Sequence, residues 1–297
     1  MPPEVALARG EGVWIARFRA MASPCEVLVE GEDEALARRI ATAVAQCAWR
    51  IEGKFSRYRA DSVVGRINAS AGDEIEVDDE TANLIDFSAQ LHELSGGLFD
   101  ITSGVLRRAW SFDRGADIPG STQVDALLPL VGWNKVNWQR PRIRLLRGMQ
   151  VDFGGVGKEY AVDQAAGIAA HLSGAAVLIN FGGDLTITRE RRDGLAWRVG
   201  IEGIDAGTGK ATRLLELSAG ALATSGDTYR YVLRDGERLP HVLDPRNGQP
   251  VHGAPRSVTV AAPTCTQAGM LATLAMLRGR GAEEFLSSEG VPHWIQR

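Results

Sequence analysis

Five short segments of this 297-residue chain set glycines beside an acid or a base. They are Ser-Gly-Gly-Leu-Phe-Asp (95–100), Val-Asp-Phe-Gly-Gly-Val-Gly-Lys (151–158), Asn-Phe-Gly-Gly-Asp (180–184), Ala-Thr-Ser-Gly-Asp (223–227) and His-Val-Leu-Asp-Pro-Arg-Asn-Gly (241–248). Glycines let backbone N–H groups approach a ligand, and a helix N-terminus leaves such groups unpaired, so the chemistry they suit is the holding of phosphate. The clearest case is 151–158, where Asp152 ends a strand pattern and Gly154, Gly155 and Gly157 precede Lys158 at the start of a helix pattern. That order makes a pyrophosphate cradle: close backbone, free N–H groups and one cation. It is not a dinucleotide fingerprint, because Tyr160 stands where the third glycine belongs. Nor is it a P-loop, because Glu159 follows Lys158 where Ser or Thr is required.

Two further positions bear on chemistry. His241, three residues before Asp244, is the best-placed general base, with an unperturbed pKa of roughly 6.5. Positions 269 and 273 lie four apart on one face of a helix expected from Thr266 through Arg278. An acid at 269 with the hydroxyl of Thr273 would clamp a hard cation such as Mg²⁺, but 269 is glycine. Glycine costs a helix roughly 0.5–1 kcal/mol relative to alanine, so helix stability does not account for it.

The elements that must position these groups read as follows. Alternating Trp14, Ile15, Phe18 and Cys25, Val27, Val29 predict two strands joined around Ala-Ser-Pro. Asp33 caps a long helix whose apolar face is Leu36, Ile40, Val44, Cys47 and Ile51. A second helix carries Leu84, Ile85, Leu91 and Leu94 and stops at Gly96-Gly97. A hairpin is expected from Ile143–Leu146 and Gln150–Phe153, then a helix over Lys158–Leu172 and a strand over Ala176–Asn180. Further strands are expected at Trp197–Ile201, Arg213–Leu217, Tyr229–Leu233 and Ser257–Ala261, with a tight turn at Asn247-Gly248. Strands in clusters with helices between them predict an α+β fold with mixed or antiparallel sheets.

Composition excludes several classes. A formal net charge of −4 gives no basis for a nucleic-acid surface. Three scattered cysteines, Cys25, Cys47 and Cys265, argue against a disulfide framework and against a zinc site. No run reaches the length of a membrane span, and the start lacks the features of a secretory signal, so a cytoplasmic protein is expected.

Taken together, and in this order, the segments resemble the ApbE family, the FAD:protein FMN transferases, over about Met21 to Thr273. The resemblance implies one flavin transferase domain over 21–280, with an N-terminal extension and first strand over 1–20 and a C-terminal segment over 281–297. It implies FAD as substrate, Mg²⁺ as cofactor, and a target flavoprotein whose Ser or Thr receives FMN as a phosphoester with release of AMP. On the matching positions, Met21 and Tyr58 would line the flavin site, and Leu98, Phe99 and Asp100 would border the nucleotide. Asp152 and Lys158 would contact ribose and phosphates, and Leu243 would pack against the ligand. The metal would take the carbonyl of Gly155 and the hydroxyl of Thr273, and His241, Asp244 or Asp227 would accept the proton of the incoming hydroxyl.

Two departures from the family pattern matter. Its acidic metal ligand corresponds to Gly269, and Glu159 replaces a glycine that usually follows the lysine. Restoring an acid at 269 is therefore expected to tighten Mg²⁺. The alternative is a flavin carrier or regulator of the same fold that has lost transfer. A flavin-dependent redox enzyme is disfavoured, for want of a dinucleotide fingerprint and paired cysteines.

Overall fold

Eight strands form one antiparallel sheet whose spatial order follows the chain: β1 (Ala6–Arg9), β2 (Val13–Ala20), β3 (Ser23–Glu30), β4 (Val177–Phe181), β5 (Asp184–Ile187), β6 (Gly220–Gly226), β7 (Ser257–Ala262) and β8 (His293–Gln296). The computed structural model describes residues 4–113, 116–204, 211–228, 230–234 and 236–297. Period-two alternation sorts the strands into two faces. Ala16, Phe18 and Ala20 of β2, Cys25, Val27 and Val29 of β3, and Val177, Ile179 and Phe181 of β4 point into the main core. The opposite face carries Val13, Leu178 and Ile187 and is covered by Trp197 from a hairpin of strands Trp197–Glu202 and Ala211–Leu217.

Three helices supply the other half of the main core: α1 (Glu34–Phe55), α3 (Gly157–Leu172) and α4 (Cys265–Leu277). Between the first two in sequence, α2 (Asp79–Leu94) adds Ala82, Leu84, Ile85 and Leu91 to the same core. In α1 the expected cap holds, since the Asp33 carboxylate accepts from the Leu36 N–H. Ile40, Val44, Cys47 and Ile51 are buried as their spacing requires. The α+β class with antiparallel sheets is thus the one observed. No described helix is long and apolar enough to cross a membrane.

Several expectations are corrected. Gln150–Phe153 forms no strand. Asn68 pairs with both the N–H and the C=O of Val151, and the Asp152 N–H donates to the Ile101 carbonyl, so the backbone is satisfied without a ladder. The strand at Ile143 instead joins Asn137–Gln139 and Ile75–Glu76 in a small sheet. Helix α4 is capped by Thr264, not Thr266, and Asp163 of α3 receives the N–H groups of Cys265 and Thr266. Leu94 is exposed, at the C-terminal end of α2. The strand expected at Tyr229–Leu233 is found at Tyr231–Arg234, and Tyr229 lies outside the described residues.

One polar network pins the helices together. Glu80 of α2 receives both Arg50 guanidinium nitrogens (2.7 and 2.8 Å), Lys54 (2.6 Å) and the Tyr160 hydroxyl (3.0 Å). Arg50 first, then Lys54 and Tyr160, outweigh partial burial and hold its carboxyl down to about 2. A carboxyl whose pKa falls on folding stabilises the protein above its unfolded value and loses that contribution as pH drops through the folded one. Glu80→Gln is expected to cost about 1.5–3 kcal/mol at neutral pH. The cost should shrink as pH falls from about 4.5 to about 2. Urea denaturation of both proteins across that range measures it.

Candidate active site

Strands of the sheet, the ends of α1, α3 and α4, and the loops between them line a cavity of about 1580 Å³. Its lining includes Met21, Tyr58, Leu98, Phe99, Asp100 and Asp152. It also includes Gly155, Lys158, His241, Leu243 and Thr273. Asp227 and Asp244 do not line it. Residues as far apart in sequence as Met21 and Thr273 thus line one cavity.

The glycine turn at 154–157 leads into α3, and no side chain caps the helix at Val156. This leaves the helix N-terminus available to an anion. Phe99 lies so close that a Cβ on Gly155 would sit 3.1 Å from its ring. Lys158, in the first turn, forms an ion pair with Asp184 at 2.7 Å. Burial opposes the charge on Lys158, but Asp184 prevails and raises its pKa. Asp184 is almost fully buried and also accepts from the Thr224 N–H at 3.0 Å, joining α3, β5 and β6. It reaches this position through the Gly182-Gly183 turn, where both residues have positive φ (63° and 99°).

Glu159 is buried, and its Oε2 has no hydrogen-bond partner. Burial, and then the charge of Asp184, push its carboxyl well above the usual range. Its side chain lies over Gly269 of α4: a Cβ at 269 would meet Glu159 Cγ at 2.4 Å and Oε1 at 2.8 Å. The expectation that an acid could simply be restored at 269 is therefore corrected, because the space is taken. One turn further along α4, the Thr273 hydroxyl pairs with Ser225 of β6 at 3.0 Å. Among the described residues no three His, Cys, Asp or Glu side chains converge as a metal site. Gly155, Glu159, Asp184, Ser225 and Thr273 all line the cavity, and their oxygens are hard donors that match Mg²⁺ in type.

The remaining expected residues differ in how free they are. Asp152 is held by Arg57 at 2.8 Å and accepts the Gly154 N–H. A Cβ on Gly104 would lie 2.6 Å from the Cβ of Asp152, so only glycine fits there. Asp100 accepts from the Thr102 N–H and hydroxyl and from the Trp133 N–H, which fixes the loop behind Phe99. Tyr58 lines the cavity and is 84% exposed. Met21 and Ala22 join β2 to β3 with φ of 52° and 57°, a left-handed pair unusual for residues with a Cβ. Leu243 packs with the second core, around Trp110 and Phe112.

The three proton-acceptor candidates are separated by their surroundings. His241 is neutral: burial first, then Arg107 and Arg230, lower its pKa to about 4, and its Nδ1 has no partner. Asp227 pairs with Arg238 at 2.9 Å, and Asp244 is gripped by Arg246 at 2.6 Å.

The sequence model of the ApbE family matches residues 21–294. The chain belongs to the ApbE family. It is 30% identical over 246 residues to the FAD:protein FMN transferase of Escherichia coli K12, covering 80% of this chain and 70% of that one. An ApbE protein from Thermotoga maritima superimposes with a TM-score of 0.86 at 30% identity, covering 95% and 94% of the two chains. The flavinyl transferase ApbE from Pseudomonas stutzeri does so at 0.81 and 27% identity, covering 99% and 91%.

In this ApbE-family chain the sequence signals missed Arg57 in the cavity lining and Asp163, which holds the head of α4. Arg57 stands 95 residues from Asp152, and Asp163 stands 102 from Cys265, so no local spacing signalled either pair. For His241 the folded pKa lies below the ordinary value, so the unfolded chain takes the proton first as pH falls. The His241 contribution is complete above about 6.5 and is lost as pH drops through about 4. His241→Gln should flatten that part of the stability curve, as read by urea denaturation at closely spaced pH values.

Proposed function

We propose that this chain is an FAD:protein FMN transferase, moving FMN from FAD to a Ser or Thr of a flavoprotein. The observation that carries the reading is the uncapped start of α3, with Lys158 beside it, opening on a large cavity in an ApbE-family chain. The names of the relatives support it. A divalent cation would be held by the Gly155 carbonyl and the Thr273 hydroxyl, with a carboxylate beside them. The partnerless oxygen of Glu159 supports that fit. When bound, such an ion supplies charge stabilisation to the pyrophosphate.

The chain's own groups do the rest. Lys158 and the N–H groups at the head of α3 bind the phosphates where charge grows in the transition state. Phe99, Leu98 and Met21 offer apolar surface for rings. The acceptor hydroxyl oxygen bonds to the phosphorus of the FMN half, the phosphorus–oxygen bond to AMP breaks, and AMP leaves with that electron pair. The hydroxyl proton passes to a base, which we assign to His241, because it lines the cavity while Asp227 and Asp244 are each tied to an arginine. Bound phosphates offset the charges of Arg107 and Arg230 and raise the His241 pKa toward its ordinary value.

The flavin-carrier alternative rested on the missing acid at 269, and Glu159 filling that space favours transfer. The test mixes the protein with FAD, Mg²⁺ and a flavoprotein domain carrying an acceptor Thr. Intact-mass spectrometry should find one added FMN with AMP as co-product, and chelation should abolish both. Lys158→Met should slow transfer by about 10²-fold or more, and His241→Gln by about 10²–10⁴-fold. Tight FAD binding without an adduct, on a domain that an active relative modifies, would sink the transferase reading.

A further inference from the structure

We infer that Glu159 and Gly269 form an exchanged pair, in which Glu159 of α3 supplies the cation-binding carboxylate that position 269 of α4 cannot carry. The inference rests on the proposed cation-dependent reading and names the residue that makes it work in this chain.

Space is the first ground. A Cβ on Gly269 would lie 2.4 Å from Glu159 Cγ, 2.9 Å from Cδ and 2.8 Å from Oε1. Contacts under 3.0 Å to three atoms of one buried side chain mean that Glu159 in this position and any side chain at 269 exclude each other. Glycine is otherwise unexplained there. Gly269 lies inside the buried helix α4, where glycine is disfavoured, and its backbone shows no left-handed φ that would demand it. Its smallness has one evident use, to admit Glu159.

Charge is the second ground. Glu159 is 8% exposed, and its Oε2 makes no hydrogen bond. A buried carboxylate is costly to leave without a partner. The nearest cation, Lys158, has its ammonium on Asp184 at 2.7 Å. One lysine against two buried acids leaves Glu159 without a cation of its own, in a cavity that Gly155, Ser225 and Thr273 also line. Thr273 stands one turn from Gly269 on the same face of α4, so a carboxylate lying over Gly269 is beside that hydroxyl. A divalent cation of the Mg²⁺ type would give the Glu159 carboxylate a partner and is matched in type by these oxygens.

The test reads Mn²⁺ binding by electron paramagnetic resonance, with and without FAD, on four full-length proteins: wild type, Glu159→Gln, Gly269→Asp, and the double variant Glu159→Gly/Gly269→Asp. Glu159→Gln keeps the shape and removes the charge. Its Mn²⁺ affinity should fall by about 10-fold or more, while its melting temperature without metal stays at or above the wild-type value. Gly269→Asp alone should lose thermal stability, because the two side chains collide. The double variant should regain both stability and Mn²⁺ binding, which a purely structural Glu159 would not produce. Wild-type affinity in a folded Glu159→Gln overturns the inference and leaves the transferase reading to its own adduct assay. No Mn²⁺ bound by the wild type under either condition removes the cation from this chain, and the inference with it. Should Glu159→Gln melt early, Glu159→Asp, which retains the charge, must bind Mn²⁺ more tightly than Glu159→Gln at a temperature where both are folded, or the inference fails.

Discussion

Lys158 and Asp184 are both largely removed from water, and neither charge is tolerable there alone. Their contact ties the first turn of α3 to the start of β5, and the second oxygen of Asp184 holds the Thr224 N–H of β6. One buried ion pair therefore joins three of the elements that line the cavity. Thr224 fixes the register in which Ser225 meets Thr273 across to α4.

A layered division of labour surrounds this point. The sheet and helices α1, α3 and α4 share one apolar core, while the cavity is lined both by residues of these elements and by the loops that connect them. Polar side chains do in the loops what ladders do in the sheet. Asn68 satisfies Val151, Asp100 satisfies Thr102 and Trp133, and Asp163 satisfies the head of α4. Such groups make irregular backbone as determinate as a strand, which a site of this kind requires.

The amphipathic elements were legible in the sequence because their signals are local. Asp33 followed by apolar residues at helical spacing gave α1, and alternation gave β2 and β3. The glycine-rich turns marked the cavity for the same reason, since backbone freedom is written in residue type. What escaped was everything decided by a distant partner. Gln150–Phe153 has the alternation of a strand but is satisfied by Asn68 and Ile101. Thr266 is as good a cap as Thr264 by type, and only Asp163 decides between them. Gly269 read as a loss, because the side chain that fills its place belongs to another helix.

The order of the sheet carries a consequence for synthesis. Cys25 of β3 pairs with Phe181 of β4, and everything from residue 31 to 176 lies between those strands. A nascent chain emerging N-terminus first presents the hairpin of β2 and β3 long before its next neighbour exists. Its apolar face and one open edge must wait while α1, α2 and α3 are made. Closing so long a loop adds little to the equilibrium cost but much to the delay. On that open strand, β3, Glu26 carries a charge, paired with Arg17 of β2 at 2.7 Å, and charge on an exposed strand disfavours pairing with a wrong partner.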